Sequence, residues 1–179
     1  FKGVFTTETP PFYDGSIWQS TSTRLPDGGV FSILSNITDI KNREASLKQL
    51  SDAIEVTPNA ILLWDKDHRL VVGNKTARDV QKDLNFDLKP GILRKDMIDN
   101  VEKIGLVDIP EGMSAEQFYS QRRVATKSSK NHMYELAFTN GTTWLVSDTK
   151  LPDGGFLQVY SDISEMKEKD KEIKLAQDQ

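Results

Sequence analysis

Two kinds of apolar pattern follow one another along this chain, one with a period of two and one with a helical period. The period of two predicts five strands, at residues 60–64, 70–72, 133–138, 142–150 and 156–163. Helical spacing between the second and third strands predicts three helices, at residues 75–84, around 93–104 and from Ser114 onward. Two strands, three helices and then a three-strand meander predict an α+β fold built on an antiparallel sheet.

The chain also contains an internal repeat. A shift of 126 positions aligns residues 14–41 with residues 140–167 without a gap, and 11 of the 28 aligned pairs are identical. Both copies contain Leu-Pro-Asp-Gly-Gly, at residues 25–29 and 151–155. Proline presets φ, aspartate can bond its own backbone and glycine accepts a positive φ, so this phrase predicts a hairpin turn rather than a catalytic loop.

The strand after each turn has one predominantly apolar row. This row consists of Phe31, Ile33, Ser35 and Ile37 in the first copy, and of Leu157, Val159, Ser161 and Ile163 in the second. Because side chains alternate between the two faces of a strand, the row predicts the side that faces the core.

Each copy then continues into a segment with helical period. Apolar residues occupy matching heptad positions in both segments: Ile40, Leu47, Leu50 and Ile54 in the first, Met166 and Ile173 in the second. Two interpretations remain open, namely a surface helix that packs on its own domain and a short parallel coiled coil in a homodimer. Pro58 predicts that the first of these helices ends by Thr57.

Composition narrows the classes of function. Of the 179 residues, 37% are hydrophobic and 28% are charged, which is typical of a soluble globular protein. The net charge of -4 gives no reason to expect nucleic acid as a partner, and no apolar run approaches the roughly 20 residues of a membrane helix. We therefore expect neither nucleic-acid binding nor membrane insertion. The lack of cysteine excludes disulfides and thiolate chemistry and is compatible with the cytoplasm.

Catalytic and metal-binding motifs are missing from the sequence. His68 and His132 have no accompanying ligands, so neither a metal site nor haem is expected. Residues 65–67 have the acidic spacing of a calcium loop, but Arg69 and Leu70 stand where such a loop needs an acidic or amide residue and glycine. No phosphate-binding loop or nucleophile motif occurs. We therefore expect no enzyme activity in these residues.

The order of elements, together with particular residues, resembles the PAS sensor family. Residues 50–80 look like its opening, with Asn74 at the start of the first helix. Residues 88–100, LKPGILRKDMIDN, are similar to a Pro-Gly stretch of the subgroup found upstream of bacterial histidine kinases and class III nucleotidyl cyclases. Residues 140–164 resemble the closing hairpin and end in Asp162-Ile163-Ser164, similar to the Asp-Ile-Thr that begins the signalling helix.

The resemblance implies a fold and a domain order. The fold would be a five-stranded antiparallel sheet with helices on one face, flanked by signalling helices. Residues 1–39 would be the C-terminal β portion of a truncated first PAS domain, 40–57 a helical linker, 58–164 a complete PAS domain, and 165–179 a signalling helix that starts a coiled coil. Residue 1 corresponds to Lys127 in the second copy, so we expect the rest of the first domain to precede these residues.

The resemblance also implies a binding site. Members of the family can hold a small molecule between the inner sheet face and the helices, so the candidate contacts are Trp64, Asn74, Arg123, Trp144 and Tyr160. Ordinary packing remains an alternative for the aromatic residues, a helix cap for Asn74 and an exposed position for Arg123, although an arginine in the cleft would suit a carboxylate. No cofactor is certain, and the lack of cysteine excludes a flavin–cysteine adduct.

We therefore expect a cytoplasmic module with a sensory and signal-transmission role. An output domain of the same protein, either a histidine kinase or a nucleotidyl cyclase, would receive the signal. The expected signal-transfer residues are Asn36, Ile37 and Thr38 in the first copy and Asp162, Ile163 and Ser164 in the second. Asn36 replaces the usual acidic residue, so any ion pair made at that position would be lost. The alternative function is a ligand-free dimerisation spacer.

Overall fold

The computed structural model describes residues 4–114, 116–121 and 131–177. These residues form two compact units, Phe1–Ala53 and Ile54–Gln179, each with its own antiparallel sheet. Among the described residues, no helix combines the length and the apolar character that a membrane crossing requires.

The first unit is a three-stranded meander. Its strands are β1 (Val4–Glu8), β2 (Trp18–Arg24) and β3 (Val30–Asn36), in the order β1-β2-β3. The helix α1 (Thr38–Val56) follows β3 directly and extends into the second unit. It ends at Val56, which confirms the end predicted from Pro58.

The second unit contains a five-stranded antiparallel sheet with helices, which confirms the predicted α+β fold. Its described elements are β4 (Ala60–Trp64), β5 (Leu70–Gly73), α2 (Lys75–Asp83), α3 (Arg94–Lys103), a short helical segment at 116–121, β6 (Asn131–Ala137), β7 (Thr143–Lys150), β8 (Phe156–Asp162) and α4 (Ser164–Gln177). The strand order is β5-β4-β8-β7-β6, so the first and last strands of the unit pair at the centre of the sheet. Strand β8 is therefore bonded on both edges and leads straight into α4.

Ser114 caps the short helical segment, as its position in the sequence predicts. Its backbone N–H donates to Gln117 Oε1 at 3.0 Å, and the Gln117 N–H donates to Ser114 Oγ at 3.2 Å. This reciprocal pair is a capping box, which satisfies two backbone donors at the start of a helix.

The core lies between the helices and one face of the five-stranded sheet. One buried cluster gathers around Trp64, and includes Leu62, Leu70, Met97 and Phe156. A second cluster joins the short helical segment to the other end of the sheet through Phe118, Leu136 and Val146.

The predicted core-facing row of β8 is wrong. The buried row is the opposite one, with Phe156 at 6% exposure and Gln158 at 0%, whereas Leu157 and Val159 lie half-buried on the other face. In the first unit, Phe31 and Ile33 are more than half exposed. A polar residue can occupy the core row because its hydrogen bonds are satisfied there, and Gln158 has two such partners.

The repeated turn has a different requirement in each copy. Gly28 and Gly154 have φ of +89° and +90°, so both turns need glycine at this position. The glycine that follows differs between the copies. A Cβ on Gly155 would lie 2.4 Å from the Trp64 carbonyl oxygen, whereas one on Gly29 would first meet Asp27 Oδ1 at 3.1 Å. Only the second turn therefore packs closely against another strand.

Candidate functional site

A cavity of about 280 Å³ lies between the inner sheet face and the helices of the second unit. Its sheet wall is formed by Ala60, Leu62, Tyr134, Leu136, Trp144 and Tyr160. Its helical wall includes Ala77, Val80 and Gln81 from α2 and Arg94, Met97, Ile98 and Val101 from α3. A largely apolar cavity with a few polar groups is the usual form of a small-molecule site.

Several polar residues line the cavity, and two of them, Gln81 and Arg94, are largely buried. Gln81 is 9% exposed, and its Oε1 is buried without a hydrogen-bond partner among the described residues. Arg94 Nε is also buried without a hydrogen-bond partner among the described residues, and the Arg94 side chain is 14% exposed. Buried polar atoms are normally bonded, so these two require an explanation.

Arg94 is held by the sheet rather than by its own helix. It is the first residue of α3, where a cation opposes the helix dipole. Its Nη2 lies 3.5 Å from Asp148 Oδ2, and its guanidinium carbon lies 5.0 Å from the ring centroid of Phe156. The carboxylate and the ring together hold the cation beside the cavity.

Asp148 belongs to a chain of buried polar side chains, here called the buried network, made of Trp64, Gln158, Asp148 and Arg94. Gln158 Nε2 donates to Asp148 Oδ1 at 2.7 Å across the paired strands β7 and β8. Trp64 Nε1 donates to Gln158 Oε1 at 3.3 Å. The buried network thus connects Arg94, the first residue of α3, to the three central strands of the sheet.

Two of the residues predicted as ligand contacts line the cavity. Trp144 and Tyr160 stand on its sheet wall, each half-buried. Trp144 Nε1 donates to Thr142 Oγ1 at 3.2 Å, which leaves the indole ring as its contribution to the wall. Arg123 lies outside the residues that the structure describes.

The other two predicted contacts are placed elsewhere. Trp64 is fully buried, stacks on Phe156 and is not part of the cavity lining. Asn74 is also fully buried, and its Oδ1 caps α2 by accepting from Ala77 N at 3.0 Å. Its Nδ2 donates to the carbonyl oxygens of Ile54 and Asn59. The asparagine therefore joins the end of α1 to the start of α2.

The sequence interpretation missed Gln81, Arg94, Asp148 and Gln158. A signal was present for two of them, because Asp148 and Gln158 share the strand parity of Val146 and Phe156, which are buried. Polar residues within a buried row suggest an internal network. In the sequence Gln81 and Arg94 look like ordinary surface residues of a helix, because their burial depends on how the helices pack against the sheet.

Side-chain hydrogen bonds stabilise the junction between β8 and α4. Asp162 Oδ1 accepts from the backbone N–H of Ser164 at 2.9 Å and from its hydroxyl at 2.5 Å. Ser164 Oγ in turn accepts from the N–H of Thr143 at 2.9 Å, and Ile163 N donates to the Thr143 carbonyl. The predicted signal-transfer residues thus tie the start of α4 to β7.

The first unit has the same junction between β3 and α1. Asn36 Oδ1 accepts from the Thr38 N–H at 3.0 Å and from its hydroxyl at 2.6 Å. Thr38 Oγ1 accepts from Ile17 N, and Ile37 N donates to the Ile17 carbonyl. Asn36 therefore makes the two bonds that Asp162 makes, without a charge.

An ion pair reinforces the junction in each unit. Lys167 on α4 lies 2.6 Å from Glu135 on β6, and Lys41 on α1 lies 2.9 Å from Glu8 on β1. The hydrogen bond to Glu8 is the main cause that raises the pKa of Lys41. Each helix is thus held to its own sheet by charge as well as by the junction.

Glu55 joins the end of α1 to α2 by charge. Arg78 Nη2 lies 2.9 Å from Glu55 Oε2, which also accepts from the backbone N–H of Lys75 at 2.8 Å. The hydrogen bond from Arg78 is the main cause that lowers the pKa of the Glu55 carboxyl, against an opposing effect of burial.

The comparison with protein families gives a match over most of the second unit. Residues 54–171 match the PAS fold family. The chain belongs to the PAS fold family. Its PAS domain therefore holds the cavity, the buried network and the junction that begins α4.

Solved structures similar to this PAS protein come from several sources. The PAS domain of an HTR-like protein from Haloarcula marismortui is 18% identical, with a TM-score of 0.41 over 70% of this chain and 98% of that one. A sensor region of a sensor histidine kinase is 16% identical, with a TM-score of 0.44 over 92% and 66% of the two chains. The phage VqmA–DPO complex is 14% identical, with a TM-score of 0.45 over 75% and 61%. No curated protein matches the chain.

Proposed function

We propose that the PAS domain is a sensory and signal-transmission module whose cavity takes a small molecule. The observation that carries the proposal is the position of β8, which supplies Tyr160 to the cavity wall and reaches the Asp162–Ser164 junction two residues later. One strand therefore serves both the candidate binding site and the start of α4.

The proposed mechanism couples occupancy to the position of α4. A ligand against α3 would act on Arg94 and, through the buried network, on β7 and β8. Both strands contribute to the junction, because Thr143 belongs to β7 and Asp162 to β8. A ligand can shift this equilibrium only if it binds one arrangement of the helix more tightly than the other.

The first unit serves in this proposal as a second relay of the same kind. Support comes from its Asn36–Thr38 junction and its Lys41–Glu8 ion pair, which correspond to those of the second unit. Asn36 can fill this role because the junction needs an oxygen acceptor rather than a charge. The tandem would transmit to an output domain, either a histidine kinase or a nucleotidyl cyclase, and these residues would themselves have no enzyme activity.

A dimerisation spacer is the second candidate function. It is favoured by apolar side chains that stand more than half exposed on the two helices: Ile40, Leu47 and Leu50 on α1, and Met166 and Ile173 on α4. In a spacer the helices would pair between two copies of the chain, and the cavity would stay empty.

Native mass spectrometry of the purified chain separates the two functions. The sensor proposal predicts a copurified molecule, or a compound from a metabolite panel that raises the unfolding temperature of the unmodified chain. The matched control is Ala77→Phe, which fills the cavity and should abolish that shift. If no compound binds and the unmodified chain carries none, the sensor proposal fails and the spacer remains.

A further inference from the structure

The helix that leaves the second sheet is attached to that sheet at two points. Ser164 Oγ accepts from the N–H of Thr143 on β7. Three residues further along α4, Lys167 lies 2.6 Å from Glu135 on β6, which is an edge strand of the sheet. The first attachment fixes the start of the helix, and the second fixes the direction of its first turn.

The first unit has the same ion pair at the same place in its sheet. Lys41 on α1 lies 2.9 Å from Glu8 on β1, which is also an edge strand. Glu8 is the strand partner of Gln19. Glu135 is the strand partner of Leu145, onto which the 126-residue shift of the repeat places Gln19. The two glutamates therefore occupy equivalent positions.

The ion pair persists although the strands that carry it have diverged. Ten residues separate Glu8 from Gln19, whereas nine separate Glu135 from Leu145. When β1 is placed on β6 by strand pairing, VFTTE lies on NHMYE, and the glutamate is the only identical residue. A contact that survives both changes points to a role in the attachment of the helix.

Strand β6 also forms part of the cavity wall. Tyr134 and Leu136 line the cavity, and Glu135 lies between them with its side chain on the opposite face of the strand. Strand β6 is bonded to a neighbour on one side only, whereas β8 is bonded on both sides. Fewer hydrogen bonds make an edge strand easier to displace. An occupant that packs against Tyr134 and Leu136 therefore restrains the strand that carries Glu135.

The exposure of the ion pair suits a contact that opens and closes. The side chain of Glu135 is 50% exposed and that of Lys167 is 35% exposed. An ion pair at such exposure changes an equilibrium by at most about fivefold, and salt screens it. A contact of this strength biases the helix toward one position without fixing it there.

We propose that Glu135 and Lys167 form an electrostatic latch through which the edge strand β6 transmits the state of the cavity to the first turn of α4. An occupied cavity restrains β6 and keeps the latch closed, whereas an empty cavity leaves it open for more of the time. Both are positioning residues, since neither belongs to the cavity lining. The inference rests on the proposed function, to which it adds a route through β6 beside the one through β8.

Hydrogen exchange at residues 164–171 tests whether the latch holds the helix. Glu135→Gln removes the charge and keeps the size of the side chain, so we expect exchange there to become about two- to fivefold faster. The matched control is Glu8→Gln, which should accelerate exchange at residues 38–45 and leave residues 164–171 unchanged. If residues 164–171 exchange in Glu135→Gln at the rate of the unmodified chain, the latch is overturned.

Salt and a charge swap separate the effect of charge from other effects of the substitution. The double variant Glu135→Lys, Lys167→Glu reverses both charges, and should return exchange at residues 164–171 to within about twofold of the unmodified chain. At about 1 M sodium chloride, where the Debye length is about 3 Å, Glu135→Gln and the unmodified chain should exchange alike. A defect that persists at high salt, or that the double variant leaves in place, contradicts the latch.

The variant Ala77→Leu tests whether the latch carries the coupling, because it places a larger side chain in the cavity wall. We expect it to slow exchange at residues 164–171, and we expect less than about half of that slowing when Glu135→Gln is added. The matched control is Glu165→Gln, whose partner Lys169 lies 2.6 Å away on the same helix. Adding Glu165→Gln should leave the slowing intact.

The outcomes separate the latch from the function on which it rests. Slowing that is unchanged by Glu135→Gln refutes the latch and leaves the coupling through β8. No slowing by Ala77→Leu alone refutes the coupling and the latch together. The copurification experiment decides independently whether the cavity binds a small molecule.

Discussion

At the residue scale, the second glycine of the repeated turn has less space around it in one copy than in the other. Gly155 lies against the backbone of Trp64, because β4 pairs with β8 at this point. Gly29 occupies the same place in the first turn, but the nearest atom there is the movable side chain of Asp27. The two turns therefore have the same sequence, but only Gly155 is packed against the backbone of another strand.

Replacing each of these glycines by alanine tests that difference. Gly155→Ala forces the Trp64 carbonyl to move and should lower the free energy of unfolding by about 1–3 kcal/mol. Gly29→Ala needs only a side-chain adjustment and should cost less than about 1 kcal/mol. Chemical denaturation followed by tryptophan fluorescence measures both. Equal losses in the two variants would show that the contact with β4 is not the cause.

The residues of the site were only partly predictable. Trp144 and Tyr160 could be placed near a cavity because the family resemblance pointed to the inner sheet face, although the predicted core-facing row of β8 put Tyr160 on the opposite side. Gln158 was assigned to the wrong face because a polar side chain is normally taken to face solvent. Its burial depends on Trp64, which is 94 positions away in the sequence, so no local pattern reveals it.

At the scale of elements, the helix that leaves each sheet is attached by the same hydrogen bonds in both units. Asp162 and Asn36 differ in charge but accept the same pair of bonds. The boundaries of β4 and α1 were predictable because turn residues and Pro58 mark them locally. The hydrogen bonding at the junctions was not predictable, since each junction requires a third residue, either Thr143 in β7 or Ile17 just before β2.

Asp162→Asn should therefore preserve the junction. The amide oxygen can accept both bonds from Ser164, so we expect the free energy of unfolding to change by less than about 0.5 kcal/mol. Asp162→Ala loses both bonds and should cost about 1 kcal/mol, as the loss of a helix cap does. Thermal unfolding by circular dichroism measures the two variants side by side. A loss in Asp162→Asn as large as that in Asp162→Ala would mean that the charge matters.

At the scale of elements, the Glu55–Arg78 ion pair should also make the free energy of unfolding depend on pH. Because folding lowers the pKa of Glu55, its contribution is present above the usual value of 4.5 and is lost as the pH falls through the lower folded pKa. Glu55→Gln should cost up to about 1 kcal/mol near neutral pH, because the pair is partly exposed and screened. The difference from the unmodified chain should shrink in acid.

The control for this pH series is Glu172→Gln on the exposed surface of α4, which should not alter the stability at any pH. Unfolding temperatures across the acid range provide the measurement. A difference between Glu55→Gln and the unmodified chain that grows as the pH falls would contradict the assigned sign.

At the scale of the whole molecule, the exposed apolar positions of α1 and α4 raise the question of self-association. Leu47 is 67% exposed and Ile173 is 55% exposed. Their heptad phase was visible in the sequence, but heptads alone cannot decide between intramolecular packing and a second chain.

Light scattering at high micromolar concentration answers this question. We expect the unmodified chain to be a dimer and the double variant Leu47→Lys, Ile173→Lys to be a monomer, because buried lysines would destabilise the helix pairing. Ser46→Lys, next to Leu47 on α1, is the control and should remain a dimer. A monomeric unmodified chain would rule out the predicted homodimer for these residues.

The central claim is that the cavity and the start of α4 are coupled through the sheet. Hydrogen exchange of the variant Ala77→Leu tests it directly, because Ala77 is 2% exposed in the cavity wall and a larger side chain there imitates an occupant. We predict slower exchange in α2 and α3 and also in residues 162–167, whereas the exposed control Ala45→Leu leaves residues 162–167 unchanged. Exchange in residues 162–167 that matches the unmodified chain, while α2 and α3 are protected, would contradict the account.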